Sequence, residues 1–476
     1  MRDLNAFFHP RRVAVVGAGE RPTSSGGAVM RNLARAGFTG EIVPVNHHGS
    51  TLFDRPAAVS LKDLGTPADL VVVAVKPEAV PEVVDAAAAS GHKNLLILPG
   101  RFAESGPEGM ERERRVLEAA NRAGITIAGP NAAGIIRLSS RQRFAATFLR
   151  ELPPGGGIAV VSQSGALAEE VVARAQSTPL PVGTVVSVGN ALHLGIEDYV
   201  EYLGHDPEVS AILLYFESVN DLERFLVIAR AITREKPVVA LVPGRSEPGR
   251  RAASAHTSSI SMMPETADAF LEQAGIIRAY TLRELLLAAR GLEHHPRGIG
   301  RRVLILSNAG GPAVLTADAC AIRGLELPPL PGPLAAALRS NLPAEASVAN
   351  PIDLPADARE DRFGFALEQA LRLGREAFDA ILMVHVVPFM VDEEPVVHRL
   401  AELARGAGMP VLHTMMGAVP RRAEWARRLA DAGVALFDNV EDSAVTASLL
   451  ARHRVLQERL GQRFGQTPLP PGERVG

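Results

Sequence analysis

The chain has 476 residues, 47% of them hydrophobic and 4% aromatic, which is apolar material for about three domain cores and leaves little for base stacking. A formal net charge of -3 gives no electrostatic footprint for nucleic acid or an anionic membrane, so neither is expected as a partner. Cys320 is the one cysteine, excluding an intrachain disulfide or a cysteine zinc cluster; with no signal pattern and no run near ~18 apolar residues, a cytoplasmic location is expected.

Arg12–Val16 is a β-branched run ending at Gly17, a buried-strand pattern. Gly17-Ala-Gly19-Glu-Arg21-Pro-Thr-Ser24-Ser25-Gly-Gly27 then opens a helix near Ala28–Ala36. Further strands are expected at Glu41–Val45, Leu70–Val75, Asn94–Leu98 and Ile125–Ala128, with helices at Pro81–Ala89 and Gly109–Ala123. This alternation implies a parallel, doubly wound α/β sheet over residues 1–145. An NAD site is disfavoured. Pro22 replaces the third glycine of G-x-G-x-x-G, and the second strand ends in Val45-Asn46 rather than an acid for a ribose hydroxyl. Two readings of the turn remain: a phosphate cradle of backbone N–H groups, or a glycine turn that packs strand against helix.

After Pro153-Pro-Gly-Gly-Gly157, a strand at Ile158–Val161 runs into Ser162-Gln-Ser164-Gly165 and a helix over Ala166–Ala175. The serines either cap the helix or help hold an anion at its N-terminus. Strands follow at Gly183–Val188, Ala211–Phe216 and Pro237–Val242. Glu217, at the end of one of them, is either a solvated charge or an acceptor that fixes a histidine tautomer. A loop is expected from Gly244 to His256, with a helix starting only near Glu265. His256, among small and hydroxyl residues, is either a surface side chain or a nucleophilic imidazole. These elements define a second domain, residues 150–295. In a third, residues 300–460, a strand at Arg302–Ser307 leads into Asn308-Ala-Gly310-Gly311-Pro312 and another helix. Pro328–Pro333 reads as a stiff loop. Strands at Ala380–Val384 and Val411–His413 alternate with helices near Val396–Arg405, Arg421–Ala432 and Asp442–Arg454. Residues 461–476 are expected to be a disordered tail. The histidines show no paired spacing for a metal, and none is expected.

In order along the chain, Val13-Ala-Val-Val-Gly17-Ala, Val43-Pro-Val-Asn46, Asp69–Pro77, Gly129-Pro-Asn131, Ser162-Gln-Ser-Gly165, Gly244–Thr257, Ser307–Pro312 and Asn350-Pro-Ile-Asp353 resemble landmarks of the NDP-forming acyl-CoA synthetases, relatives of succinyl-CoA synthetase. The resemblance spans residues 10–455 and implies a Rossmann-like CoA-binding domain followed by two flavodoxin-like domains. It implies CoA beside Gly17, Gly19, Arg21, Ser24, Ser25 and His48, and along Val75, Pro77, Leu98 and Gly100. It also implies phosphate at Ser162, Ser164, Gly165, Gly310 and Gly311, a phosphohistidine at His256 and Glu217 as its orienting acid. The implied reaction interconverts acyl-CoA, phosphate and ADP with a small carboxylic acid, CoA and ATP. Lys62, Lys76, Lys93 and Lys236 are the only lysines, and the three expected domains leave no length for an ATP-grasp domain. ATP or ADP and Mg²⁺ are therefore expected through a separate ATP-grasp β-type chain, within an oligomer. The departures are His47-His48 where the family has a lysine, Ala132 where it has a cysteine, Ala191-Leu-His193 after Gly-Asn, and Ser258–Met263 where it has glycines. These favour the alternative, a CoA- or acyl-CoA-sensing module without catalysis.

Overall fold

The computed structural model describes residues 2–49, 51–178, 180–256, 263–387 and 392–464. Two compact units part between Tyr280 and Thr281.

The first unit begins with α1 (Asn5–Phe8), β1 (Arg12–Val16), α2 (Ser25–Ala36), β2 (Glu41–Val45), a small hairpin of β3 (Thr51–Leu52) and β4 (Arg55–Pro56), and β5 (Leu70–Val73). Then come α3 (Val80–Ala89), β6 (Asn94–Ile97), α4 (Pro107–Ala123) and β7 (Thr126–Ala128). Their parallel sheet has the order β2-β1-β5-β6-β7. Helices cover both faces, so β5 is buried throughout and its sequence, Leu-Val-Val-Val, does not alternate. Ser24 caps α2, and Gly37, at φ +76°, ends it in a left-handed turn.

A second sheet follows: β8 (Gly134–Leu138), β9 (Arg143–Thr147), β10 (Ile158–Ser162), α5 (Gly165–Ser177), β11 (Val182–Ser187), α6 (Ile196–His205) and β12 (Ala211–Tyr215). It closes with α7 (Leu222–Thr233), β13 (Val238–Leu241), α8 (Glu247–His256), α9 (Pro264–Gln273) and β14 (Ile277–Ala279). The order is β14-β13-β12-β10-β11-β8-β9, parallel except for the β8–β9 ribbon at one edge. The expected boundary at 145 thus falls inside β9, a strand of the second sheet. The ribbon seats the first domain: Asn32 of α2 donates to the carbonyls of Thr147 and Leu149 at 2.9 and 2.8 Å.

The second unit comprises α10 (Leu282–His294), β15 (Val303–Ser307), α11 (Gly310–Ile322), α12 (Gly332–Asn341), β16 (Ser347–Val348), β17 (Ile352–Asp353), α13 (Glu360–Leu373) and β18 (Ala380–Val386), then α14 (Glu393–Ala404), β19 (Val411–Met416), α15 (Arg422–Ala430), β20 (Ala435–Phe437) and α16 (Val440–Phe464). Its sheet runs β16-β17-β15-β18-β19-β20, parallel but for β16. Helix α10 lies within the expected bounds of the second domain, 150–295, but belongs to this unit. The expected stiff loop is shorter than read, because α12 starts inside it at Gly332 with Pro333 in its first turn. Helix α16 continues to Phe464, past the expected boundary at 460; the rest of the tail lies outside the described residues. Among the described residues no helix is long and apolar enough to cross a membrane.

Candidate functional site

The carboxyl ends of the first sheet form one rim. Val16 pairs with Val45 and Val73, and Val73 with Ile97, so these strands finish at one level. The ladder continues past them: Gly17 N donates to Val45 O, Ala74 N to Val16 O, and Leu98 N to Val73 O. Gly17, Asn46, Val75, Gly100 and Asn131 therefore lie along one rim, at the strand ends where open α/β sheets bind ligands. Asn46 ties the rim together, donating to Ala18 O at 2.7 Å and accepting from His48 N at 3.0 Å.

The glycines in the first turn serve two purposes. A β carbon on Gly26 would lie 2.3 Å from Gly17 O, and one on Gly27 2.2 Å from Gly19 O. These two let helix and turn pack. Gly17 combines φ +89° with a 2.6 Å approach to Ala74 O. At Gly19 a β carbon would meet nothing nearer than Ser24 Oγ at 3.7 Å, so packing gives no reason for its missing side chain. Ser24 Oγ accepts from Gly27 N at 3.2 Å, while Arg21 and Ser25 are exposed beside the turn. This open glycine at a helix start with adjacent hydroxyl and guanidinium groups fits a phosphate-bearing ligand such as CoA. His48 is exposed, its ring 3.9 Å from that of His47. Val75 and Pro77 are half-buried on the same rim. Leu98, expected along the ligand's path, has its side chain in the core, so a ligand there would meet its backbone.

In the second sheet Ser162 pairs with Ser187 and Tyr215, and Tyr215 with Leu241, giving a second rim. The Ser162 hydroxyl donates to Ser164 O at 2.7 Å and accepts from Ser164 N at 3.1 Å. Ser164 Oγ caps α5, accepting from Leu167 N at 3.3 Å. Ser162, expected to face a ligand, is buried with its hydroxyl turned into its own turn. Donors left over at this helix start are the first backbone N–H groups of α5, at Gly165 and Ala166.

Gln163 was not singled out from the sequence, yet it holds this rim. Its Nε2 donates to Ser218 O at 2.9 Å, and its Oε1 accepts from Glu217 N at 2.6 Å and Ser218 N at 3.1 Å. Glu217 is 9% exposed, and its Oε1 accepts from the Tyr215 hydroxyl at 3.0 Å. Burial, reinforced by the Glu217 charge, raises the Tyr215 pKa and keeps that donor protonated. Tyr215 ends β12 two positions before Glu217, a spacing that could have flagged it.

The two rims of the first unit touch. A β carbon on Gly165 would stand 3.2 Å from Ala133 Cβ, and Ser187 Oγ accepts from Ala133 N at 2.8 Å. Asn190 N donates to Pro130 O at 2.9 Å and Asn131 Nδ2 to Asn190 Oδ1 at 3.2 Å; Gly189 is required there, since a β carbon would lie 2.1 Å from Pro130 O.

His256 is the last residue of α8; its side chain and residues 257–262 lie outside the described residues. The expected loop from Gly244 is helical from Glu247. Ser246 caps it, Oγ accepting from Gly249 N at 3.1 Å, and Glu247 pairs with Arg251 one turn on. Gly310 and Gly311 open α11 in the second unit, both exposed. Their turn repeats the first one. Ser307 Oγ donates to Ala309 O at 3.0 Å and accepts from Ala309 N at 3.1 Å, while Asn308 exchanges two bonds with Val386 as Gln163 does with Glu217 and Ser218.

Family models match in the same order: a CoA binding domain over residues 11–138, a succinyl-CoA ligase like flavodoxin domain over 155–292 and a Ligase-CoA domain over 303–457. The chain belongs to the ADP-forming acyl-CoA synthetase family. It is 35% identical over 455 residues to the α subunit of ADP-forming acetate–CoA ligase II of Pyrococcus furiosus, covering 94% of this chain and 97% of that one. It is 34% identical over 366 residues to ADP-forming acetate–CoA ligase I of Archaeoglobus fulgidus, matching 77% of this chain but only 52% of that longer protein. The solved dinucleotide forming acetyl-coenzyme A synthetase 1 of Ca. Korarchaeum cryptofilum, in complex with phosphate and ADP, superposes with a TM-score of 0.90 at 27% identity, covering 98% of this chain and 99% of that one.

Proposed function

We propose that this chain is the α-type half of an ADP-forming acyl-CoA synthetase. In this reading it binds CoA on the first rim, forms an acyl phosphate on the second and passes the phosphoryl group to His256. The observation that supports it is the contact between the rims, where Gly165 at the α5 N-terminus meets Ala133 at the exit of the first sheet. A thioester held along the first rim then lies beside the helix end that would hold phosphate.

A phosphate oxygen attacks the thioester carbonyl, the C–S bond breaks, and the thiolate leaves and takes a proton. The imidazole of His256 next attacks phosphorus, and the bond from phosphorus to the acyl oxygen breaks to release the carboxylate. An ADP oxygen on a partner chain finally takes the phosphoryl group from nitrogen. The first N–H groups of α5 would face the anion, a placement worth about 1 kcal/mol, more where water is excluded. Glu217, fixed by Gln163 and Tyr215, would accept the second ring N–H of His256 and stabilise the charge that develops there. Gly310 and Gly311 supply a second helix start of the same design. A β carbon on Gly311 would meet nothing within 4 Å, so that surface too is clear for a ligand. ATP or ADP with Mg²⁺ would be held by an ATP-grasp β-type partner in a hetero-oligomer. Location in the cytoplasm is part of the same proposal.

Arsenate tests the acyl-transfer step without any partner, because an acyl arsenate hydrolyses at once. The chain should release CoA from acetyl-CoA or another short acyl-CoA only when arsenate is present, and His256→Ala should retain this activity. Tight CoA binding with no arsenate-dependent release for any short acyl-CoA would favour a sensing module instead.

A further inference from the structure

The second unit holds a buried cluster that the proposed reaction does not use. His385 on β18 and His413 on β19 lie 28 residues apart in sequence and are both fully buried. Met383 pairs with His413 and His385 with Met415 across these parallel strands. Alternate residues of a strand share a face, so the four side chains form a two-by-two patch with the imidazoles on one diagonal and the thioethers on the other. Both methionines are also fully buried.

As a plain core this arrangement is costly. Among the described residues none of the four ring nitrogens has a hydrogen-bond partner. Each unsatisfied buried polar group carries a desolvation cost that two leucines would avoid. The ring planes lie within 9° of parallel with centroids 5.9 Å apart. The rings are stacked, and an ion shared by both must lie in the plane of each, so one imidazole would turn about its Cβ–Cγ bond on binding. Burial holds both rings neutral, and His385 is pushed down to about 4, so each ring offers a lone pair without losing a proton.

We propose that Met383, His385, His413 and Met415 form a buried site for one soft monovalent cation of the Cu(I) or Ag(I) class. Imidazole with thioether is a soft donor set, unlike the oxygen sets of Mg²⁺ or Ca²⁺. No three His, Cys, Asp or Glu residues converge on a metal position among the described residues, so no carboxylate or thiolate is at hand to offset a double charge. Among the described residues Arg422 acts on His413, and it is itself paired with Asp438 at 2.6 Å. A dehydrated divalent ion would be penalised more steeply there than a monovalent one.

Silver is the probe, offered to the full chain in a Cys320→Ala background, because the buried thiol would itself take silver. One equivalent is added to the folded protein, or during refolding, followed by passage over a chelating resin. About one silver per chain should be retained, with nitrogen and sulfur neighbours in its X-ray absorption spectrum. His413→Leu, and separately Met383→Leu with Met415→Leu, should weaken retention at least tenfold, while the exposed-residue control His205→Gln should not. Thermal melts establish that each variant is folded. No retention by either loading route, or equal retention by a folded His385→Leu, His413→Leu protein, overturns the proposal.

Discussion

Gln163→Ala tests whether the second rim is held as described. The substitution removes one acceptor and one donor, stranding the N–H groups of Glu217 and Ser218 and the carbonyl of Ser218. Each orphan costs about 1–3 kcal/mol when fully buried. Here the groups are partly buried and water recovers some of the loss, so about 2–3 kcal/mol in total is the working figure. The same change frees Glu217, which would otherwise hold the imidazole, so phosphoryl transfer should slow by at least tenfold. CoA affinity should stay within twofold, because Gln163 lies on the other rim. Urea unfolding of the first unit, with amide hydrogen exchange at Glu217 and Ser218, reads the first effect. Single-turnover labelling of His256 reads the second. A stability loss below about 0.5 kcal/mol with unchanged protection of the two amides would refute the reasoning.

Gly26→Ala should cost about 2–4 kcal/mol and weaken CoA binding together, since its β carbon would stand 2.3 Å from Gly17 O and push α2 off the turn; calorimetry with CoA and a thermal melt check both. Acid should destabilise the second unit. Burial pushes His385, His294 and His295 down to about 4. The unfolded chain therefore takes up protons between about pH 6.5 and pH 4 that the folded chain refuses, and stability falls across that window by up to about 3 kcal/mol per ring. Glu293, raised to about 7 by burial, acts oppositely, its contribution being present in acid and lost as pH rises toward 7. His413 and His453 are lowered too and Asp353 is raised, so the rings outweigh the two carboxyls; melting temperature should drop from pH 6.5 to pH 4, and a flat profile would contradict the burial argument.

The parallel strands were legible because strands covered on both faces read as unbroken β-branched runs, as in β1, β5 and β10. The edge ribbon was not: β8 carries Arg137 mid-strand, which resembles a loop charge until its bonds to Asp206 and Glu208, at 2.6 and 3.0 Å, are seen. Helix α8 was missed because Gly, Pro, Arg and Ser obscure a cap at Ser246 that only the backbone reveals. The two rims followed from glycine and serine turns at strand ends. Gln163 did not, because its role depends on β10 and β12 lying side by side. The histidine pair shows no spacing signal for the same reason: neighbouring strands, not neighbouring residues, bring it together.

The phosphoryl relay is tested most directly by labelling His256. Incubating the chain with acetyl-CoA, or another accepted acyl-CoA, and radioactive phosphate should give a phosphoprotein stable to base and labile to acid, since protonating the second ring nitrogen improves the leaving group. His256→Ala should abolish the label and leave CoA affinity unchanged. A label at full yield in His256→Ala, or none in the native chain with an accepted acyl-CoA and its partner present, would contradict the account.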